Sequence, residues 1–427
     1  MKSGVIPGIS EPIDSLKEAS IEKEKNEQTI TGTIFDANNE KIAYSASVEG
    51  ERQYADPYIY SSLISYSSGG LEYLYYNELY SHGKKEYKNN KDEVYYKGCD
   101  LKLTVDHELT RKAYGLIKGE PDASITVLDK DGAVKCMVSS QTFNINTIET
   151  DYNEVASKSG ALMNPAKDYL VPPGSVLKPV IGETIIDYGV GNSFKVKDQG
   201  ETVLKSGERI RNAGSSSYGE IGLEKALIVS SNVYFISAAE YLGSDLIDER
   251  YDELYLGKKI STDFGVISSM RTSPENEYEL AMNAIGQNIG LSTVHLAMIM
   301  QGIVTGEISK PYIVDKVIQD GMIKRQGKKE LFGKTSAARS SIDYMNDILT
   351  ECAISYGLTN EACGIKILAK TGTAEVESES GKKNIATMLL AFPADNPQYF
   401  VAIQSRNTES WGKNLSDTAI ELVKYIK

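Results

Sequence analysis

At 427 residues the chain is long enough for two or three domains and a large core. Hydrophobic residues make up 41% and charged residues 25%, the balance of a soluble globular protein, and a net charge of −13 mixed along the chain argues against nucleic acid or anionic lipid as the main partner. Four cysteines without Cys-x-x-Cys spacing and three histidines (His82, His107, His295) give no support for a metal or cofactor site.

Taken in order, residues 11–28 read as a charged helix or a flexible lead-in. No run of eighteen apolar residues and no signal-peptide pattern is present, so the protein is either soluble in the cell or anchored by a segment lying before residue 1. Thr31–Asp36, a turn at Asn38-Asn39 and Lys41–Tyr44 predict a hairpin. Residues 54–98 are crowded with tyrosine, which packs a ring and keeps its hydroxyl wet; they predict a thin accessory region of strands and short helices. Leu101–Asp106 alternates like a strand and runs into a helix reaching about Ile117. Ser124–Asp129, a turn at Asp131-Gly132, and Ala133–Val138 form a hairpin. Residues 175–188 predict a helix, followed by helical patterns near 221–242, 277–285 and 292–304. A last hairpin, Thr387–Phe392 with Tyr399–Ile403, leads to a helix over 416–426. Strands at both ends with helices between them describe an α+β domain whose antiparallel sheet joins distant segments. Cys352 and Cys363 bracket a short polar loop, as a disulfide or as two unpaired small residues.

Three stretches carry candidate chemistry. In Val171-Pro172-Pro173-Gly174-Ser175-Val176-Leu177-Lys178, the prolines and glycine bring the chain to a serine where a helix begins. Positions three apart share a helix face with Cβ atoms roughly 5–6 Å apart, so the Lys178 amine reaches the Ser175 hydroxyl. The helix start adds unpaired N–H groups and the positive end of the dipole, so an acyl-transfer nucleophile finds both a base and oxyanion donors there. Ser230-Ser231-Asn232 lies at a junction between helical segments, where a hydroxyl and an amide two apart either face a cleft or merely cap a helix. Ile365–Ala374 predicts a strand carrying Lys370-Thr371-Gly372-Thr373: Gly372 admits a substrate backbone, Thr371 and Thr373 offer hydroxyls to a carboxylate, and Lys370 offers charge. Packed near Lys178, Lys370 would also disfavour protonation of that amine. The same Ser-x-x-Lys spacing at Ser20/Lys23 and Ser81/Lys84 reads as solvated surface. Gly333-Lys334-Thr335 imitates the end of a phosphate-binding loop, but residue 328 is lysine where the first glycine belongs.

Ser-x-x-Lys, Ser-x-Asn and Lys-Thr-Gly in this order resemble the motif set of the penicillin-binding proteins and serine β-lactamases. The resemblance continues through Asp129–Ser140, Arg211-Asn212-Ala213, Glu224–Leu227, Ala284–Asn288 and Lys310-Pro311-Tyr312, so residues 101–427 look like a penicillin-binding transpeptidase domain and 1–100 like an accessory or pedestal region. Thr31–Ala43 is similar to the opening of class B, single-activity members, although Thr31 stands where those carry arginine and Asn39 where they carry glycine. The fold implied is the β-lactamase/transpeptidase-like α+β fold: a five-stranded antiparallel sheet flanked by helices, with an all-helical subdomain. The activity implied is a peptidoglycan D,D-transpeptidase. Ser175 would attack the penultimate D-Ala carbonyl of a stem peptide and Lys178 take its proton; Ser230 would relay a proton to the leaving amine and Asn232 hold the substrate amide. Lys370, Thr371 and Thr373 would bind the terminal carboxylate beside Gly372, and the N–H groups of Ser175 and Thr373 would form the oxyanion hole. Peptidoglycan stem peptides, β-lactam antibiotics and a glycosyltransferase or other wall-synthesis membrane partner are the partners implied. The implied location is outside the cytoplasm, held by an N-terminal membrane helix not in this sequence. D,D-carboxypeptidase, serine β-lactamase and β-lactam-sensing receptor are the alternatives; no Glu-x-x-Leu-Asn loop of the class A β-lactamases is evident, and Asn232 differs from the apolar residue usual in class D.

Overall fold

The computed structural model describes residues 29–48, 50–64, 69–81, 83–157, 162–378 and 381–427. The charged lead-in, Ser20, Lys23 and His82 lie outside the described residues. In chain order the elements that position the rest are strands β1 (Ile34–Phe35), β2 (Lys41–Ser45), β3 (Arg52–Tyr54) and β4 (Asp100–Leu103), helix α1 (His107–Ile117), strands β5 (Ala123–Asp129) and β6 (Val134–Ser139), and helices α2 (Lys178–Asp187), α3 (Leu223–Ile228), α4 (Asn232–Leu242) and α5 (Thr293–Thr305). Then come β7 (Val314–Gln319), β8 (Met322–Gln326), α6 (Arg339–Ser355), the long strands β9 (Leu368–Ser378), β10 (Gly381–Phe392) and β11 (Tyr399–Thr408), and α7 (Ser416–Ile426).

Local chemistry sets most of these boundaries. The β1–β2 turn closes because the Asp36 carboxylate accepts the N–H groups of Asn38 (2.8 Å) and Glu40 (2.7 Å) while Asn39 takes a left-handed conformation. Asp129 closes the β5–β6 turn the same way, accepting from Asp131 and Ala133 at 2.9 Å each. Asp106 caps α1 by accepting from Leu109 N–H.

The five-stranded sheet runs β9-β10-β11-β5-β6, antiparallel throughout, so the first hairpin and the last segment of the chain share one ladder. Helix α1 packs on β5 and β6, and α5 on β5, β10 and β11; both faces of β5 are buried, which explains its unbroken Ala-Ser-Ile-Thr-Val-Leu run. Nearly every residue of α5 is buried, as expected of the apolar Val294–Val304 stretch at the centre of the core. A second sheet runs β8-β7-β4-β1-β2-β3 and is antiparallel except where β1 lies parallel to β4. It takes strands from both sides of residue 100, tying 34–54 to 314–326. The tyrosine-rich segment adds three short helices and the strands Tyr87–Lys88 and Val94–Lys97, which form a small sheet with Thr29–Ile30, in line with the strands and short helices expected of it.

The fold class is α+β with the expected five-stranded antiparallel sheet. The helical segment between β6 and β7 needs one amendment, because it is not wholly helical. It carries two-stranded ribbons pairing Val196–Asp198 with Gly219–Ile221, Glu201–Val203 with Arg209–Arg211, and Ile260–Thr262 with Gly265–Ile267. Short polar stretches broken by glycine close turns there more readily than they extend helices. Cys99, Cys136, Cys352 and Cys363 are all buried and unbridged. Among the described residues no helix is long and apolar enough to cross a membrane.

The side of α2 away from the sheet buries one carboxylate, Glu183. Its neighbour Arg250 is occupied by Asp187, by Glu253 (3.3 Å) and by the Ser336 hydroxyl (2.6 Å), and Glu183 Oε1 has no hydrogen-bond partner among the described residues. Burial pushes its carboxyl far above the ordinary range, with Arg250 opposing and Asp187 and Glu253 reinforcing. The folded state therefore holds this proton more tightly than the unfolded chain, so stability falls as pH rises past the ordinary carboxylate range. Glu183→Gln should be more stable than wild type at neutral pH, with the advantage shrinking as pH falls toward that range. Thermal melts of both proteins across pH check this; an advantage that does not vary with pH contradicts it.

Candidate active site

Three backbones meet at the start of α2. Gly174 N–H donates to Gly286 O (3.0 Å). A Cβ on Gly174, whose φ is +65°, would stand 2.8 Å from Thr373 O, and one on Gly372 would stand 2.5 Å from Pro173 O. Glycine at these points lets the turn before the helix lie directly against the free edge of β9. Residues 174–177 form a 3₁₀ turn and the α-helix proper begins at Lys178, with Pro179 in its first turn, where a missing N–H leaves nothing unpaired. Ser175 is partly exposed on this turn, whereas Lys178 is fully buried.

The Lys178 amine points at the second motif. Nζ donates to Ser230 O at 2.7 Å and to Asn232 Oδ1 at 2.7 Å, stands 3.4 Å from Ser230 Oγ, and lies over the Phe235 ring at 5.6 Å from its centroid. The direct Ser175–Lys178 hydrogen bond implied by the spacing is not made in this state: two short amide acceptors hold the amine, and the Ser175 hydroxyl has no hydrogen bond among the described residues. Burial pushes the Lys178 amine well below the ordinary lysine range, the Lys370 charge pushes it further, and Asp198 opposes both. A neutral amine has two N–H groups and one lone pair. The two 2.7 Å acceptors take both N–H groups, so the lone pair is left to accept a proton.

Ser230 sits between α3 and α4 with φ +56°, a left-handed conformation sparsely occupied by non-glycine residues. It turns the chain so that Ser231 caps α4, accepting from Tyr234 N–H at 3.0 Å, while Ser230 and Asn232 face the crevice. Behind them lies a buried carboxylate that the motif spacing does not announce. Asp198 receives the Asn212 side-chain amide on both oxygens (2.8 Å each), the Ser231 hydroxyl at 2.6 Å and Gly200 N–H at 2.8 Å. Asn212 Oδ1 in turn accepts Asn232 N–H (2.7 Å), and Arg211 O accepts one Asn232 Nδ2 hydrogen (2.7 Å), leaving the other for a ligand.

Lys370 is fully buried on β9. Its Nζ donates to Thr371 O (2.8 Å), Ser230 Oγ (3.3 Å) and Tyr356 OH (3.3 Å). Ser230 Oγ thus stands between two lysines, accepting from Lys370 and free to give its own proton to the Lys178 lone pair. Three positions along β9, Thr373 Oγ1 accepts Gly412 N–H at 3.1 Å, which turns its hydroxyl hydrogen outward for an anion, and Thr371 is half-buried beside Gly372. The fold therefore gathers Ser175, Lys178, Ser230, Asn232, Lys370, Thr371, Gly372 and Thr373 into one crevice. Sequence reasoning missed Asp198, Tyr356 and Phe235 as parts of it and quoted Asn212 only within a resemblance. The decoys fall elsewhere: Lys334 ends a strand over Leu331–Lys334 and pairs with Glu307 at 2.9 Å. Among the described residues no group of three or more His, Cys, Asp or Glu could hold a metal ion.

The family model for the penicillin-binding protein transpeptidase domain matches residues 123–423. Penicillin-binding protein 3 of Bacillus subtilis is 22% identical over 379 residues, covering 83% of this chain and 55% of that protein. The peptidoglycan D,D-transpeptidase MrdA of Acinetobacter baumannii is 25% identical over 361 residues, 74% of this chain and 52% of that one. The chain thus spans about half the length of the curated relatives it matches. Among solved structures, the D,D-transpeptidase domain of a peptidoglycan glycosyltransferase from Eggerthella lenta superposes with a TM-score of 0.80 at 23% identity, covering 93% of this chain and 98% of that one. The ceftriaxone acyl-enzyme of penicillin-binding protein A from M. tuberculosis gives 0.83 at 18% identity, with the same coverage of each chain.

The Asp198 carboxylate acts on Lys178 in the opposite sense, favouring the protonated amine. Asp198→Asn should therefore lower the Lys178 pKa further while loosening the hold on Asn212 and Ser231. Following the Lys178 13Cε chemical shift against pH reads the first effect; a midpoint that stays or rises contradicts it.

Proposed function

Because the chain belongs to the penicillin-binding protein transpeptidase family, we propose that it is a serine-type peptidoglycan D,D-transpeptidase, cross-linking stem peptides through an acyl-enzyme on Ser175. The observation that carries this reading is Ser230 Oγ held between two buried lysine amines, of which Lys178 has its proton affinity lowered by burial and by Lys370.

The steps follow from the geometry. A stem peptide lies along the free edge of β9 with its terminal carboxylate at Thr371, Thr373 and Lys370, and its amide at the remaining Nδ2 hydrogen of Asn232. Lys178 must swing from Asn232 or Ser230 O toward Ser175, a short rotation of a flexible side chain. Ser175 Oγ then attacks the penultimate D-Ala carbonyl carbon and gives its proton to Lys178 Nζ. The carbonyl oxygen becomes an oxyanion held by the N–H groups of Ser175 and Thr373, each typically worth a factor of about 10²–10³. The C–N bond breaks as Ser230 passes its proton to the leaving D-Ala nitrogen and recovers one from Lys178. An amine of a second stem peptide attacks the ester and forms the cross-link, the C–O bond to Ser175 breaking as the amine's proton passes through Lys178 to Ser175 Oγ. Lys178 starts neutral and ends neutral, which is why its lowered proton affinity matters.

The class B subfamily fits the hairpin at 34–45 and the extra strands before residue 100. The division we propose is an accessory or pedestal region over 1–100 and the transpeptidase domain over 101–427, joined through the mixed sheet. Peptidoglycan is cross-linked outside the cytoplasm, so the proposed location is extracytoplasmic, with an N-terminal anchor preceding this sequence and a glycosyltransferase or another wall-synthesis membrane protein as partner. β-Lactams, which present a strained amide and a carboxylate at matching positions, are the inhibitors expected.

Incubation with benzylpenicillin should add one molecule's mass to the wild type and none to Ser175→Ala. Lys178→Ala should slow labelling by about 10²–10⁴-fold, the usual loss for a general base. Labelling that persists in Ser175→Ala overturns the assignment. Rapid return to the unmodified mass points to a β-lactamase, and release of D-Ala from a pentapeptide without cross-linking when an acceptor amine is present points to a carboxypeptidase.

A further inference from the structure

Lys370 is buried where water cannot complete its hydrogen bonds, so each of its three N–H groups needs a protein acceptor. Two come from the motifs themselves, Thr371 O and Ser230 Oγ. The third is Tyr356 OH at 3.3 Å, from the residue that ends α6, fourteen positions before Lys370 and outside all three motifs. Its ring lies below the same ammonium, 5.8 Å from the centroid. Tyr356 is itself anchored from several sides. Its N–H reaches Cys352 O (3.2 Å) and Ala353 O (3.1 Å), and its carbonyl accepts the Ser416 hydroxyl at the start of α7 (2.8 Å). Its hydroxyl also meets the buried Cys352 thiol.

We propose that Tyr356 is a positioning residue for this reaction: its phenol and ring anchor the Lys370 amine from α6, fixing how far it stands from Ser230 and so the charge that both Lys178 and the substrate carboxylate face. The inference rests on the transpeptidase reading. Lys178 is faced by Lys370 from β9 and by Asp198 from the ribbon over Val196–Asp198; Lys370 is faced by Lys178 from α2 and by Tyr356 and Cys352 from α6. With the phenol oxygen removed, the Lys370 amine keeps only Thr371 O and Ser230 Oγ as acceptors, so it is drawn toward Ser230, behind which Lys178 stands. Lys370 disfavours protonation of Lys178. A Lys370 drawn closer therefore makes Lys178 give up its proton at lower pH, and the acid limb of acylation moves in the acid direction.

The test compares acylation of wild type and Tyr356→Phe by benzylpenicillin across pH, with thermal melts alongside. The ring remains in the variant, so the fold is retained. We expect the second-order acylation constant at neutral pH to fall about tenfold, the scale of one hydrogen bond to a charged group holding the substrate carboxylate, with the acid limb shifted to lower pH. An acid limb at the wild-type position overturns the proposal even if the plateau falls, because a merely structural loss scales the profile without moving it. If Tyr356→Phe does not fold, 3-fluorotyrosine at 356 weakens the acceptor while keeping its shape. It should move the limb in the same direction by less, and an unmoved limb again overturns the proposal. Failure of the wild type to acylate overturns the transpeptidase reading itself, a result separate from either of these.

Discussion

Two buried amines share one site, and the charge of one lowers the proton affinity of the other. Lys178 and Lys370 are both fully buried and both reach Ser230 Oγ, so the cost of placing two ammonium groups side by side without water falls on whichever proton is held less firmly. Lys370 has three acceptors for three hydrogens. Lys178 has two at 2.7 Å, Ser230 Oγ at 3.4 Å, and a ring face. Burial and the Lys370 charge lower the proton affinity of Lys178, which sorts the roles we propose: a cation on the strand and a proton acceptor on the helix. Every other feature of the site serves to keep these two groups apart in function and close in space.

The fold achieves that closeness by letting backbones touch. The turn before α2 lies against β9 because Gly174 and Gly372 leave no side chain between them. Helix α6 packs on β9 and on α2 and α3, bringing Tyr356 to the back of Lys370. The left-handed Ser230 lets α3 and α4 meet at an angle, and the Asp198–Asn212–Ser231 hydrogen bonds stabilise a conformation that a non-glycine residue otherwise avoids. Strand, helix start and junction are held by three different kinds of interaction.

Much of this was legible in the chain because motif residues announce themselves by type and spacing. The β5–β6 hairpin, the strand carrying Lys370, α5 and the closing helix over Ser416–Ile426 lie where periodicity and turn chemistry put them. The seventeen-residue α6 escaped notice because its buried Ile342, Met345, Ile348, Leu349 and Cys352 are spread among polar residues with no proline or glycine to mark its start. The ribbons over 196–221 escaped for the opposite reason: strands of three residues are too short for alternation to register. Asp198 and Tyr356 could not have been found by pattern. One belongs to such a ribbon and the other to a helix end, and only the fold brings them to the lysines. The bond between Lys178 and Ser175 fails to appear for a related reason: spacing says what a side chain can reach, and its competitors decide what it does reach.

The six-stranded sheet also limits how the chain can be divided. Strand β4 has β7 on one side and β1 on the other, and β1 arrives from sixty-six residues upstream of Asp100, counted from Ile34. A fragment beginning at residue 101 would leave the backbone of β4 bare along the side that β1 had covered, beside the buried side chains of Leu101 and Leu103. Such an open ladder invites a second molecule to complete it. The hairpin over 34–45 therefore guards the sheet it belongs to, closing an edge of β4 that would otherwise stand open.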